Sequence, residues 1–252
     1  MIEIRNLSKR YGDSTVVDDV SLNLAEAGVT AIIGPNGAGK STLLGMISRL
    51  QSIDAGTVHI DGLDITTTPS MTLARKLAIL RQENQISTRL RVIDLVTFGR
   101  YPYCKGRPGP KDLEQVQRAL AFLNLEELAQ RFLDTLSGGQ RQRAYIAMVL
   151  CQDTDYVLLD EPLNNLDMKH AVDIMKLMQR ASVEMGKKVI IVLHDINFAA
   201  YYADDIVALQ GGKLVFQGHP EELITAEKMK ALYDIDMTIE RFKGRPIGLY
   251  YA

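Results

Sequence analysis

Gly34, Gly39, Lys40 and Ser41 stand at the spacing G-x-x-x-x-G-K-S/T, filled here as Gly34-Pro35-Asn36-Gly37-Ala38-Gly39-Lys40-Ser41. This pattern suits a polyphosphate. Glycines let the backbone curl so that successive N–H groups converge on phosphate oxygens, and a helix starting at the end of the loop adds the positive end of its dipole. Lys40 has the reach and charge for β- and γ-phosphates, and Ser41 offers a hydroxyl to Mg²⁺, which also keeps waters and phosphate oxygens. A tight turn between a strand and a helix does not by itself require Lys-Ser at those two places. Thr42 follows and opens the helical stretch Thr42-Leu43-Leu44-Gly45-Met46-Ile47.

Two carboxylates close the apolar run Tyr156-Val157-Leu158-Leu159, as Asp160-Glu161-Pro162. In a phosphate-loop protein an aspartate at such a strand end holds the Mg²⁺ shell, so Asp160 is the expected metal carboxylate. Glu161, one residue beyond the strand, is placed to polarise an attacking water as general base. His194 follows the apolar run 189–193 much as Asp160 follows its own, so it is expected at the carboxyl edge of the sheet, within reach of a γ-phosphate. A second glycine motif, Leu136-Ser137-Gly138-Gly139-Gln140, precedes the helical stretch 141–150. Ser137 is a natural N-cap, and the glycines leave N–H groups bare for an anion. One nucleotide does not need two such sites in one subunit unless the second serves a neighbour's nucleotide.

The elements that must position these groups read as an α/β core. Alternation at Ile2 and Ile4, then at Val20, Leu22 and Leu24, predicts antiparallel strands turning at Gly12-Asp13. From Val29 the texture changes to continuous apolar runs at 29–33, 77–80, 156–159 and 189–193, the signature of parallel strands buried on both faces. Between the second and third runs, 93–149 has helical periodicity and no strand pattern, a helical insertion in the core. Its Gly/Pro-rich piece, 99–110, is expected to be an exposed loop rather than a helix. Residues 206–209 and 213–216 flank Gly211-Gly212 as a hairpin, a short helical tail is expected from Pro220, and 242–252 reads as a closing strand packed through Tyr250 and Tyr251.

Taken together, a phosphate loop, Leu-Ser-Gly-Gly-Gln, a strand ending Asp-Glu and then a histidine resemble the nucleotide-binding domain of an ATP-binding cassette (ABC) protein, over nearly the whole chain. The resemblance implies a phosphate-loop NTPase fold with a mostly parallel sheet, an N-terminal antiparallel β part and an inserted α-helical subdomain. It implies one ABC ATPase domain over 1–252, with the nucleotide-binding core at 1–92 and 150–225, the helical subdomain at 93–149 and a C-terminal tail at 226–252. Tyr11, in Lys9-Arg10-Tyr11-Gly12, matches the aromatic that stacks on adenine. Gln82 resembles the glutamine that touches Mg²⁺ and the attacking water; it follows Leu80-Arg81 here, whereas proline commonly precedes it. Asp167, in Asn164-Asn165-Leu166-Asp167, matches the aspartate of the loop that crosses the dimer interface, where Ser-Ala-Leu-Asp is more usual. The resemblance further implies a head-to-tail dimer in which each phosphate loop is closed by Ser137, Gly138, Gly139 and Gln140 of the other copy. The substrate that the resemblance implies is ATP with Mg²⁺.

Within the family, Gly99-Arg100-Tyr101-Pro102 and Leu163-Asn164-Asn165-Leu166-Asp167-Met168 look like the importers of iron-siderophore chelates, the vitamin B12-importer class. That implies an ATP-hydrolysing subunit peripheral to the cytoplasmic face of the inner membrane, docked on integral permease subunits and served indirectly by a substrate-binding protein. Two other readings stay open: the ATPase of an importer for another substrate, and a soluble member of the iron-sulphur cluster assembly type. Composition agrees with these readings. A 46% hydrophobic and 24% charged chain can bury a core, and a net charge of −2 offers no broad field for nucleic acid. The longest apolar runs fall far short of the roughly 20 residues of a membrane span, and Cys104 and Cys151 make no disulfide framework.

Overall fold

The computed structural model of the protein describes residues 1–25, 27–82 and 88–251. The chain divides into two compact units, Met1–Thr68 with Met178–Ala252, and Pro69–Leu177. The first begins with β1 (Ile2–Tyr11), β2 (Ser14–Leu24), β3 (Val29–Ile33), α1 (Lys40–Ile47), β4 (Ala55–Ile60) and β5 (Leu63–Asp64). The second holds α2 (Ser70–Leu73), β6 (Leu77–Leu80), α3 (Val92–Phe98), α4 (Tyr101–Cys104), α5 (Pro110–Phe122), α6 (Gly138–Cys151) and β7 (Tyr156–Asp160). Helix α7 (Met168–Met185) leads back to the first unit. There follow β8 (Lys188–Val192), α8 (Ile196–Tyr202), β9 (Asp205–Gln210), β10 (Lys213–Gly218), α9 (Pro220–Leu223), α10 (Ala226–Tyr233), β11 (Thr238–Phe242) and β12 (Arg245–Leu249).

In the first unit, β1 and β2 pair antiparallel as their alternation predicts, with Ile2 opposite Leu24, Ile4 opposite Leu22 and all four side chains buried. β4 joins the other edge of β1, and β5 joins β4. β4 buries only Val58 and Ile60 and β5 is two residues long, so neither announces itself by periodicity. β3, all five residues buried, runs parallel between β8 and β9, and β10 turns back antiparallel on β9 through Gly211 and Gly212, both at positive φ. That turn is the expected hairpin. In the second unit β6 and β7 pair in parallel, residue for residue from Leu77 opposite Tyr156 to Leu80 opposite Leu159. The mixed α/β architecture, with its mostly parallel strands and antiparallel N-terminal part, is as expected.

Two local expectations are corrected. The stretch 99–110 is not simply an exposed loop. Gly99 approaches the Met148 carbonyl so closely that a Cβ would sit 2.1 Å from the oxygen, and Tyr101–Cys104 forms a helical turn with Pro102 in its first positions, where a missing N–H costs nothing. Arg100 is 7% exposed; its guanidinium donates to the Cys151 carbonyl at 2.9 Å and to Asp112 Oδ1 at 3.1 Å and lies 4.0 Å from the Tyr103 ring centroid. Only the segment 105–108 is exposed without interruption. Glycine and proline here served close packing and a helix start, which composition alone does not separate from a loop.

The second correction is at the C-terminus. The expected closing strand is a two-stranded hairpin, β11 and β12, turning at Lys243 and Gly244, both at positive φ. Met237, Pro246 and Gly248 supply its buried side. Tyr250 and Tyr251 lie against each other with ring centroids 4.7 Å apart and planes tilted by 36° rather than entering the core, and Tyr251 is 84% exposed. Ala252 lies outside the described residues.

The two cysteines differ sharply in environment. Cys151 is buried at the end of α6, and burial pushes its thiol up to about 12, whereas Cys104 is half-buried on α4. The thiolate is the reactive form, so at pH 8 a disulfide reagent modifies one thiol per native chain, Cys104, and two after denaturation. Two equally fast native modifications, counted by absorbance, would contradict this burial.

Candidate functional site

The phosphate loop and the histidine belong to the first unit. β3 ends at Ile33, and the chain then passes through Gly34 (φ 143°), Gly37 (φ 78°) and Gly39 (φ 93°), all in the region that disfavours side chains. Space excludes them too: a Cβ would lie 2.0 Å from the Leu209 carbonyl oxygen at Gly34 and 2.4 Å from that of Val16 at Gly39. Pro35 is half-buried, Asn36 and Gly37 are exposed at the tip, and Ala38 is buried, its N–H donating to the Pro35 carbonyl at 3.2 Å. α1 starts at Lys40 with no side-chain cap and no acidic residue in its first turn, so the positive end of its dipole is left to the loop. Lys40 is 5% exposed, and its Nζ donates to the carbonyls of Gly34 and Pro35, each at 2.9 Å. Ser41 and Thr42 follow, half-buried.

His194 emerges exposed just past β8. Ile32 of β3 pairs in parallel with Val192 of β8, so Gly34 and His194 each stand two residues beyond one rung, on the same sheet edge. The Leu193 N–H donates to the Ile32 carbonyl at 3.1 Å, and Asp195 caps α8 by accepting from the Asn197 N–H at 2.7 Å. Tyr11 ends β1, about half exposed, its hydroxyl donating to Gln51 Oε1 at 2.9 Å. The strand after its turn carries Val16, the residue whose carbonyl abuts Gly39.

The carboxylates and the second glycine motif belong to the second unit. β7 ends at Asp160, and Glu161 adopts φ 50°, left-handed for a non-glycine residue, a cost that its surroundings must offset. Because Leu80 and Leu159 are opposite each other on β6 and β7, the residues two further on, Gln82 and Glu161, come side by side. Gln82 Nε2 donates to Glu161 Oε2 at 2.7 Å, and Asn164 Nδ2 donates to the same oxygen at 2.5 Å. The less usual Asn164 therefore holds the carboxylate.

Ser137 caps α6: its Oγ accepts from the Gln140 N–H at 3.3 Å, and Gln140 Oε1 accepts from the Ser137 N–H at 3.1 Å. The two glycines serve different ends. Gly138 has open space where a Cβ would be, while a Cβ on Gly139 would meet His170 Cδ2 at 1.4 Å. His170 lies three residues after Asp167; its N–H donates to Asp167 Oδ1 at 2.8 Å, and its Nδ1 is 3.2 Å from that oxygen at an angle that makes no hydrogen bond. One side chain thus links the glycine motif to the Asp167 loop. Sequence reasoning passed over His170, and the only signal was its spacing from Asp167.

The family model "ABC transporter" matches residues 17–164. The chain belongs to the ABC transporter family.

This cassette is 50% identical over 252 residues to the petrobactin import ATP-binding protein YclP of Bacillus subtilis (strain 168), covering all of both chains. It is 42% identical over 231 residues to the ferric enterobactin transport ATP-binding protein FepC of Escherichia coli (strain K12), covering 91% of this chain and 85% of that one. Among solved structures, a dimeric ATP-binding cassette in a post-hydrolysis state with ADP and phosphate superposes with a TM-score of 0.78 at 29% identity. That match covers 87% of this chain and 99% of the other. The cassette binds ATP and is an ATPase of this family.

Ser41 in the first unit offers a hydroxyl, and Asp160 and Gln82 in the second offer a carboxylate and an amide oxygen, each a hard oxygen donor of the kind Mg²⁺ accepts beside water and phosphate. The buried Lys40 Nζ is a cation docked on two carbonyls of its own loop.

Proposed function

We propose that this cassette is the ATP-hydrolysing subunit that energises import of an iron-siderophore chelate through a membrane permease. The observation that carries the reading is full-length identity of 50% with a petrobactin import ATP-binding protein. Among the described residues no helix is long and apolar enough to cross a membrane, so the path through the bilayer belongs to permease subunits. The working form is a head-to-tail dimer on the cytoplasmic face of the inner membrane, each phosphate loop closed by Ser137, Gly138, Gly139 and Gln140 of the other copy and by its Asp167. A substrate-binding protein delivers the chelate to the permease.

In this reading Tyr11 stacks on adenine, and the loop from Gly34 to Thr42 wraps the phosphates, with N–H groups supplied by residues after Pro35. Lys40 transfers its Nζ from the Gly34 and Pro35 carbonyls to β- and γ-phosphate oxygens. Ser41, Gln82 and Asp160 would hold magnesium, which would supply neutralising charge when bound. Glu161 accepts a hydrogen bond from the water that attacks the γ-phosphorus and takes its proton as the bond to the leaving ADP oxygen breaks. Gln82 and Asn164 keep the Glu161 carboxylate oriented, and His194 donates to the γ-phosphoryl group. Phosphoryl transfer is mostly positioning and charge stabilisation, so each of these groups matters for where it stands.

Uptake of radioiron supplied as ferric petrobactin or ferric enterobactin tests the transport reading in a strain lacking this chain. Uptake of at least one chelate is expected to fall to background and to return with the wild-type chain but not with Lys40→Ala. Undiminished uptake of ferric siderophores, or a wild-type chain that purifies from membranes with no polytopic protein, would remove the reading.

A further inference from the structure

The C-terminal segment beyond the hairpin of β9 and β10 reaches back to the phosphate loop. The hydroxyl of Tyr233, the last residue of α10, accepts a hydrogen bond from the Gly34 N–H at 3.1 Å. The other side of that same residue, its carbonyl, accepts from Lys40 Nζ at 2.9 Å. A continuous chain therefore runs from a phenol on the C-terminal helix, through one glycine residue, to the lysine proposed to grip the phosphates.

The frame around Tyr233 is rigid. Thr225 caps the start of α10 by accepting from the Lys228 N–H, and Asp234 ends it in the left-handed conformation. Gln210 Nε2 donates to the carbonyls of Ala231 and Leu232 at 3.0 and 3.1 Å, tying the last turn of α10 to the end of β9. The neighbouring Leu209 carbonyl is the oxygen that leaves no room for a Cβ on Gly34. Further along, Gly248 of β12 and Asn197 of α8 exchange hydrogen bonds at 2.8 and 3.2 Å, three residues after His194. Both the phosphate loop and the helix behind the histidine are thus braced by residues after 225.

We infer that Tyr233 is a positioning residue for ATP binding, fixing the Gly34 peptide and through it the resting place of Lys40. The inference rests on the phosphate-loop reading given above. Burial pushes the phenol up to about 12, so it stays protonated at assay pH and its oxygen stays a neutral acceptor.

The test is affinity for an N-methylanthraniloyl ATP with magnesium, measured in wild type, Tyr233→Phe, Lys40→Ala and the double variant. Tyr233→Phe removes only the oxygen and is expected to weaken binding about five- to tenfold, the scale of one hydrogen bond to a loop peptide. In the Lys40→Ala background the same change is expected to cost less than about twofold, because its route to the phosphates is gone. Equal affinity for Tyr233→Phe and wild type, or the same fold loss in both backgrounds, would overturn the role. If Lys40→Ala binds as tightly as wild type, the phosphate-loop reading fails with it. A second readout does not depend on binding: in [¹⁵N]glycine-labelled protein the Gly34 amide resonance is expected to shift in Tyr233→Phe, and an unmoved Gly34 signal overturns the contact.

Discussion

Glu161→Gln is expected to bind ATP as wild type does and to hydrolyse it at least about 100-fold more slowly, the scale of removing a positioned general base. The substitution keeps size and shape. The amide oxygen still accepts from Gln82 Nε2 or Asn164 Nδ2, so the constellation at the end of β7 persists. The left-handed φ of 50° is borne as well by glutamine as by glutamate, so the melting temperature should stay within about 2 °C. What is lost is the negative charge that draws a proton from water. ATP then remains in place and the closed head-to-tail dimer accumulates. Gel filtration with ATP and magnesium should show twice the 28.1 kDa chain mass, against a monomer without nucleotide. Turnover near the wild-type rate would remove Glu161 as the base.

Lys40→Ala carries the second large effect. The buried Nζ bridges two loop carbonyls and is the loop's only positive side chain. Its loss removes the charge-assisted bonds to phosphate, each about 1.5–3 kcal/mol. Two such bonds make a loss of affinity of about 100-fold or more, with hydrolysis below detection. The loop keeps the hydrogen bond from the Gly34 N–H to the Tyr233 hydroxyl, and the Leu209 and Val16 carbonyls still pack beside Gly34 and Gly39, so the fold should survive. Circular dichroism like that of wild type, together with abolished ATPase activity, is the expected pair of results. Unchanged hydrolysis would sink the assignment of the loop.

Much of this was legible in the residues. Parallel strands buried on both faces must be apolar throughout, so the runs at 29–33 and 77–80 coincide with β3 and β6, and those at 156–159 and 189–193 fall within one residue of β7 and β8. The phosphate loop and Ser137 cap were legible because their requirements, φ above zero and a short side-chain acceptor, are set residue by residue. The helical turn at Tyr101–Cys104 was not. Proline at a helix start and glycine against a carbonyl look the same in sequence as proline and glycine in a loop. β4 and β5 were missed because β4 buries only Val58 and Ile60 and β5, at the sheet edge, is two residues long, too few buried positions to show a period.

By itself, then, the sequence determined the family, the parallel core, the motif residues and the order in which strands deliver them, since all of these follow from local geometry and patterned burial. Only the tertiary structure decided which groups touch. Gln82 meets Glu161 because β6 and β7 pair in one register, with 79 positions of chain between them. His170 fills the space that Gly139 leaves, and Tyr233 reaches Gly34 across 199 positions. Such contacts depend on the path of the whole chain, and no residue type or spacing within a short window encodes them.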